Sequence, residues 1–121
     1  MRQSGILAAA ALHGIEHHWP RMAEDHASAA TLARIVDGVG GARVVPPDTN
    51  IVMIDLPAGV HSGDVVARCA AEGVRLTAWN ASRIRAVTHL DADAAAVSLA
   101  GQILAHALDR AVPVERQVVT G

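Results

Sequence analysis

The segment of residues 74–91, VRLTAWNASRIRAVTHLD, decides the fold that the sequence predicts. Residues 74–79 and 83–88 contain Val, Ile, Leu, Thr and Trp, most of which suit a pleated strand. Between them lies the triplet Asn80-Ala81-Ser82, whose polar residues favour a turn. Two strand-like runs joined by a short turn predict a β-hairpin, and therefore an antiparallel sheet.

Apolar residues at helical or strand-like spacing predict the remaining elements on either side of the hairpin. Helices are predicted over residues 4–18, 20–36, 63–72 and 92–111, and further strands over residues 42–45 and 50–56. Ser4, Ser62 and Asp91 stand where side chains cap the starts of helices. The resulting fold class is α+β, with a small, mainly antiparallel sheet covered on one side by helices.

The predicted core is unusual because it lacks large aromatic side chains. The 121 residues suit one domain and are 51% hydrophobic, but they include no Phe and no Tyr. Trp19 and Trp79 are the two aromatic residues, so Ala, Val, Leu and Ile must fill the interior. Small side chains bury little area each. We therefore expect either marginal stability in isolation or a large surface that docks on another protein part.

The charge pattern argues against several classes of partner. Ten Arg and no Lys face twelve acidic residues, which gives a net charge of −2 without a basic tract, so nucleic-acid binding has little support. The alanine-rich run that ends at His13 is too short to span a bilayer. No convincing signal peptide precedes it, which predicts a cytoplasmic protein without a membrane partner.

Metal, phosphate and thiol chemistry are also weakly supported. His13 and His17 share a helix face with His18 and His26 nearby, but neither a Cys pair nor an HExxH motif completes a metal site. The single cysteine, Cys69, sits mid-helix by pattern, which predicts a buried, inert thiol.

A glycine-rich stretch, Gly38-Val39-Gly40-Gly41, resembles part of a phosphate loop. It follows a predicted helix and precedes a strand, whereas a phosphate cradle places its amides at the start of a helix. The stretch is therefore interpreted as the end of the second helix.

Two arginines on the second strand of the hairpin form the most specific candidate site. Arg83 and Arg85 alternate with apolar residues, so both point to the same face of the sheet. An Arg presents a planar fork that can bind a carboxylate through two parallel hydrogen bonds. The pattern alone leaves two interpretations open, a carboxylate anchor or a pair of solvated arginines.

Four segments of the chain, in order, resemble one family. They are MRQSGILAAA at residues 1–10, AEDH at residues 23–26, TNIV at residues 49–52 and RAVTHLD at residues 85–91. Each is similar to a motif of the low-specificity L-threonine aldolases, members of the beta-eliminating lyase group. The resemblance covers about residues 1–110.

The resemblance implies a C-terminal small domain of an aspartate-aminotransferase-like enzyme that uses pyridoxal phosphate (PLP). Residues 1–112 would form this domain, with residues 1–18 as an interface helix and residues 113–121 as a flexible tail. Family members cleave β-hydroxy-α-amino acids such as threonine or allo-threonine to glycine and an aldehyde, and they are usually homo-oligomers.

By motif, the resemblance also assigns roles to individual residues. Arg85 would hold the substrate carboxylate, and Arg2 would lie near the cofactor phosphate or the subunit interface. His89 and Asp91 would serve structure, through helix capping and hydrogen bonds at the end of the strand.

The absence of lysine is the main departure from the family. Family members attach PLP to a lysine of a large domain that has no counterpart in these 121 residues. We therefore expect a fragment, a truncated reading frame or one piece of a split enzyme, with no catalytic residue of its own, no covalently bound PLP and no activity alone. The large domain or full-length subunits would be its partners. The alternative is a stand-alone ferredoxin-like module that binds a ligand or another protein.

Overall fold

A four-stranded antiparallel sheet and four helices make up the computed structural model of the protein, which describes residues 2–113. The helices are α1 (Ser4–His17), α2 (Met22–Val36), α3 (Ser62–Ala71) and α4 (Ala94–Ala111). The strands are β1 (Arg43–Val45), β2 (Ile51–Asp55), β3 (Thr77–Asn80) and β4 (Arg83–Val87). Short 3-10 helices span Trp19–Arg21 and Val39–Gly41. The predicted α+β fold class is confirmed.

The strands lie in the order β1-β2-β4-β3, and every neighbouring pair is antiparallel. The predicted hairpin is therefore present as β3 and β4. Its first strand begins at Thr77 rather than residue 74, because the preceding residues complete the end of α3. Gly73 adopts a positive φ of 84°, and the amide of Val74 donates to the carbonyl of Cys69 at 2.9 Å.

Burial alternates along the two central strands, as a sheet covered on one face requires. Val52 and Ile54 on β2 and Ile84 and Ala86 on β4 are buried. They pack with apolar side chains from the helices, which include Leu32, Val36, Val65, Cys69, Leu104 and Leu108. The alternate positions form an open face, which we define as Ile51, Met53, Asp55, Arg83, Arg85 and Val87.

All three predicted helix caps are wrong, for local reasons. Before α1, the cap position is Gln3, which has a positive φ of 62°, and no side chain of the described residues caps this helix. Ser62 is the first residue of α3, and its hydroxyl donates to the carbonyl of Asn80 at 2.5 Å, so it ties the helix to the hairpin turn. At α4 the cap is Asp93, which accepts from the amide of Ala96 at 2.8 Å.

Helix α1 differs from the others because none of its residues is buried. Its apolar side chains are open to solvent, with Ile6 75% and Ile15 60% exposed. Within residues 2–113, no helix has the length and apolar character needed to cross a membrane. The predicted flexible tail lies outside the described residues except for Pro113.

Candidate functional site

The candidate site is built on β4, a central strand, and its neighbours on the open face. Arg83 pairs across β2 with Asp55, and Arg85 pairs with Met53. On the other side, Arg85 pairs with Thr77 of β3. Both arginines therefore point away from the helices, as the alternation in the sequence predicts, and a rigid sheet fixes their backbones.

The charge of Arg83 is matched by an acidic partner. Its Nε donates to Oδ1 of Asp55 at 2.5 Å, and its Nη2 donates to Oδ2 at 3.0 Å. This bidentate bond, with the positive charge of Arg83, holds the pKa of Asp55 below its usual range. The guanidinium of Arg83 is thus already occupied by a carboxylate of the same chain.

The charge of Arg85 has no such partner in the part of the chain that the structure describes, where the ion pairs found involve other residues. Its Cζ lies 5.2 Å from the ring centroid of Trp79, within the range of a cation–π contact. Its Nε is buried and has no hydrogen-bond partner among the described residues. Arg85 is therefore a half-buried cation with an aromatic neighbour and with no acidic partner within residues 2–113.

The surroundings of Arg85 are apolar as well as open. Val87 is 44% exposed and Ile51, its cross-strand partner, is 41% exposed. Val45 at the edge strand is similarly exposed. The attraction between such a cation and an anion becomes stronger when another surface covers them and removes water. The geometry suits binding of a carboxylate at a covered interface.

Arg2 does not join this cluster. It is exposed in the turn before α1, and no hydrogen bond or ion pair among residues 2–113 connects it with Arg85. No lysine is present to hold PLP covalently. The one residue predicted from the sequence to lie near the phosphate of PLP is Arg2, which is exposed. The residues of this chain therefore do not fit a complete PLP site by themselves.

Hydrogen bonds join three of the four motif segments behind the site. The hydroxyl of Thr88, which is 3% exposed, donates to the carbonyl of Asp25 at 2.6 Å. The carbonyl of Thr88 accepts from Nδ2 of Asn50 at 2.7 Å. These bonds fix the end of β4 against α2 and the start of β2, and they use the side chains of Thr88 and Asn50 and the main chain of Asp25.

The roles predicted for His89 and Asp91 are half right. The amide of Asp91 donates to Nδ1 of His89 at 3.2 Å, so a hydrogen bond does follow the end of the strand. Helix capping by Asp91 is wrong, because Asp93 occupies the cap position of α4.

Sequence reasoning assigned no role to Trp79, Asp55 or Thr88. The position of Trp79 just before the hairpin turn could have indicated a contact with Arg85, because aromatic side chains reach diagonal neighbours on the adjacent strand. For Asp55 the signal was an acidic residue on an open-face position of β2, but the register that places it opposite Arg83 is a tertiary property.

The histidines and the cysteine occupy other parts of the fold. His13 and His17 stack with ring centroids 4.1 Å apart, and Nδ1 of His17 donates to the carbonyl of His13 at 3.0 Å. Within residues 2–113 no group of three His, Cys, Asp or Glu side chains is placed to hold a metal ion. Cys69 is buried, as predicted, and burial raises the pKa of its thiol to about 11.

The sequence is similar to one protein family model and to several threonine aldolases. Residues 1–58 match the family model described as beta-eliminating lyase. Low-specificity L-threonine aldolase 1 of Arabidopsis thaliana is 36% identical over 93 residues, which cover 74% of this chain and 26% of that protein. The low specificity L-threonine aldolase of Escherichia coli (strain K12) is 40% identical over 94 residues, 75% of this chain and 26% of that protein. The chain thus spans about a quarter of the length of these relatives.

The fold is similar to a solved structure with much lower identity. LysN, an alpha-aminoadipate aminotransferase of Thermus thermophilus solved with N-(5'-phosphopyridoxyl)-L-leucine, superposes with a TM-score of 0.65 at 18% identity. The match covers 86% of this chain and 30% of that chain. At this identity the likeness concerns the fold, which is that of part of a PLP aminotransferase.

Proposed function

The chain belongs to the beta-eliminating lyase family, among relatives of the low-specificity L-threonine aldolases, and on that premise we propose that it is the small domain of a threonine-aldolase-type lyase. The complete enzyme cleaves β-hydroxy-α-amino acids to glycine and an aldehyde. In this proposal Arg85 binds the α-carboxylate of the substrate. The observation that carries the proposal is the unmatched charge of Arg85, within the described residues, beside the matched pair of Arg83 and Asp55.

Arg85 contributes binding and orientation rather than bond cleavage. A guanidinium on a rigid central strand can hold a carboxylate by two charge-assisted hydrogen bonds, which fixes the position of the Cα–Cβ bond relative to the reacting groups. Arg83 cannot do the same, because Asp55 already occupies its fork. PLP, when bound by other parts of the enzyme, supplies the chemistry that takes up electrons from the substrate.

The remainder of the enzyme supplies what this chain lacks. A large domain covers the open face of the sheet, provides the lysine, and packs with residues 1–18 as an interface helix. The exposed apolar side chains of α1 and of the open face support this arrangement, since contiguous apolar surface is characteristic of interfaces. Arg2, at the start of α1, lies near the cofactor phosphate or a subunit interface. The assembled enzyme is a homo-oligomer of the cytoplasm.

A chimera tests the role of Arg85. The large domain of the Escherichia coli relative is joined ahead of this chain, and Arg85→Ala is compared with a double variant, Arg83→Gln with Asp55→Asn. The double variant removes the neighbouring ion pair as a unit, so that no carboxylate is left unpaired beside Arg85. We expect Arg85→Ala to weaken substrate binding about 10- to 100-fold, because a charge-assisted pair is lost.

Cofactor binding is the internal control, measured by the absorbance of PLP retained on each purified variant. Arg85→Ala should keep the cofactor, and the double variant should keep both the cofactor and the substrate affinity within about 3-fold, as surface pairs contribute little. Unchanged substrate affinity in Arg85→Ala contradicts the assignment. A folded dimer of the 121-residue chain that binds an amino acid without PLP would favour the stand-alone module instead.

A further inference from the structure

We propose that Trp79 is a positioning residue for Arg85, and that its ring leaves the two terminal nitrogens of the guanidinium directed at the substrate carboxylate. The inference rests on the proposed role of Arg85. It concerns how this arginine is kept ready for an acidic ligand when no acidic side chain within residues 2–113 holds it.

Trp79 lies on the same face of β3 as Thr77, the partner of Arg85, and at an irregularity in the register of the hairpin. Ala78 pairs with Ile84, but Asn80 rather than Trp79 pairs with Arg83, so Trp79 has no Cα partner on β4. Such a bulge redirects the side chain of the extra residue. The ring of Trp79 lies against the guanidinium of Arg85, with 5.2 Å between Cζ and the ring centroid.

The buried Nε of Arg85 specifies which edge of the guanidinium is available. A carboxylate can bind side-on, to Nε and one Nη, or end-on, to both Nη atoms. Nε is inaccessible to solvent and has no partner in the described part of the chain, so the side-on approach is closed. The end-on approach uses the two Nη atoms and remains open to a ligand that arrives from above the sheet.

An aromatic ring is suited to this task because it restrains an arginine without neutralising it. A free arginine side chain loses rotamer entropy when a ligand orders it. A carboxylate partner such as Asp55 prevents that loss for Arg83 but competes with an acidic ligand. The face of the Trp79 ring attracts the cation. It does not occupy the Nη atoms with a hydrogen bond to oxygen, so they stay available to a carboxylate. The sheet thus carries two arginines, one fixed by an acid and one fixed by a ring.

Nuclear magnetic resonance of the 121-residue chain tests the contact without any enzyme activity. The Nε–Hε signal of Arg85, assigned by comparison with Arg85→Lys, should be displaced by the ring current of Trp79. Trp79→Ala should abolish the displacement, Trp79→Phe should retain much of it, and Trp19→Ala, which removes the other exposed tryptophan, should leave it unchanged. An Arg85 signal that does not respond to Trp79→Ala overturns the proposal.

Kinetics of the chimera test the consequence for substrate binding. Trp79→Ala should raise KM for the β-hydroxy-α-amino acid about 3- to 10-fold with kcat nearly unchanged, and Trp79→Phe should restore it. Trp79 is 54% exposed, so the variant should fold, and a thermal melt checks that it does. If Arg85→Ala loses substrate binding but Trp79→Ala does not, the positioning role fails and the carboxylate site stands. If both variants keep full affinity, the proposed function fails as well.

Discussion

Arg83 and Arg85 lie two residues apart on one strand and face the same side of the sheet, yet their charges have different partners. Asp55 fixes the first with two hydrogen bonds, and Trp79 lies against the second without neutralising it. The difference arises because β2 presents Asp55 opposite Arg83 and Met53 opposite Arg85. A shift in strand register would change these environments.

Cys69 offers a further prediction at the residue scale. Burial, followed by the negative charge of Glu72, raises the pKa of its thiol from the ordinary 9.0 to about 11. Because the folded protein keeps this proton to higher pH than the unfolded chain, the contribution of the thiol to the free energy of unfolding is complete below pH 9. It should decrease as the pH rises towards about 11, by on the order of 2–3 kcal/mol.

The composition makes this test unusually clean, since the chain has no Lys and no Tyr side chains to titrate in the same range. Urea unfolding between about pH 8 and about pH 11 measures the slope, and Cys69→Ala should remove it. Native Cys69 should also react with a thiol reagent far more slowly than the urea-unfolded chain. Rapid labelling of the native protein would contradict the buried position.

At the scale of the elements, the connection between α2 and β1 depends on a close approach to α4. A Cβ atom added at Gly40 would lie 2.8 Å from the carbonyl oxygen of Leu108, and Gly40 has a positive φ of 57°. Gly38 also has a positive φ, of 82°, but no atom of the described residues lies within 4 Å of its added Cβ. Substitution of Gly38 therefore tests the effect of the backbone conformation alone, and substitution of Gly40 adds the effect of a steric clash.

We expect Gly38→Ala to cost about 1–2 kcal/mol of stability from the left-handed conformation alone. Gly40→Ala should cost at least about 1 kcal/mol more, because main-chain atoms of α4 must move to admit the methyl group. Thermal or urea unfolding of both variants gives the difference. Equal losses would mean that the contact with Leu108 does not constrain the connection.

At the scale of the whole molecule, the described residues leave much apolar surface uncovered. Its helices cover one face of the sheet, while the open face and α1 expose apolar side chains. The curated relatives are about four times as long as the matched region, which is 26% of their length. In the proposed function Arg85 anchors the substrate carboxylate, and other parts of the enzyme hold PLP.

The proposal that this chain binds the substrate while another domain holds PLP can be tested by activity. The 121-residue chain, mixed with PLP and L-threonine, should release acetaldehyde no faster than PLP alone in the same buffer, since it has no lysine side chain. The chimera with a large domain should release it at an enzymatic rate. A coupled assay that reduces acetaldehyde with NADH follows both. Enzymatic turnover by the chain alone would refute the proposed division of roles.

The sequence alone determined the elements and the family, because both depend on local order. The alternation of residues 83–88 predicted a strand, the neighbouring turn predicted a hairpin, and four ordered segments indicated the relatives that the comparisons identify. Helix starts were less predictable, since the hydroxyl of Ser62 bonds to the hairpin turn and Asp93 rather than Asp91 caps α4.

Tertiary structure decided which arginine is free of an acidic partner within residues 2–113, because that depends on residues distant in the chain. Asp55 reaches Arg83 across 28 positions through the pairing of β2 with β4, and no local pattern contains this register. The exposure of α1 likewise depends on packing with other elements, because none of its residues is buried although many of them are apolar. Residue type sets the chemistry that a side chain can perform, and long-range packing sets which partners satisfy that chemistry within the chain.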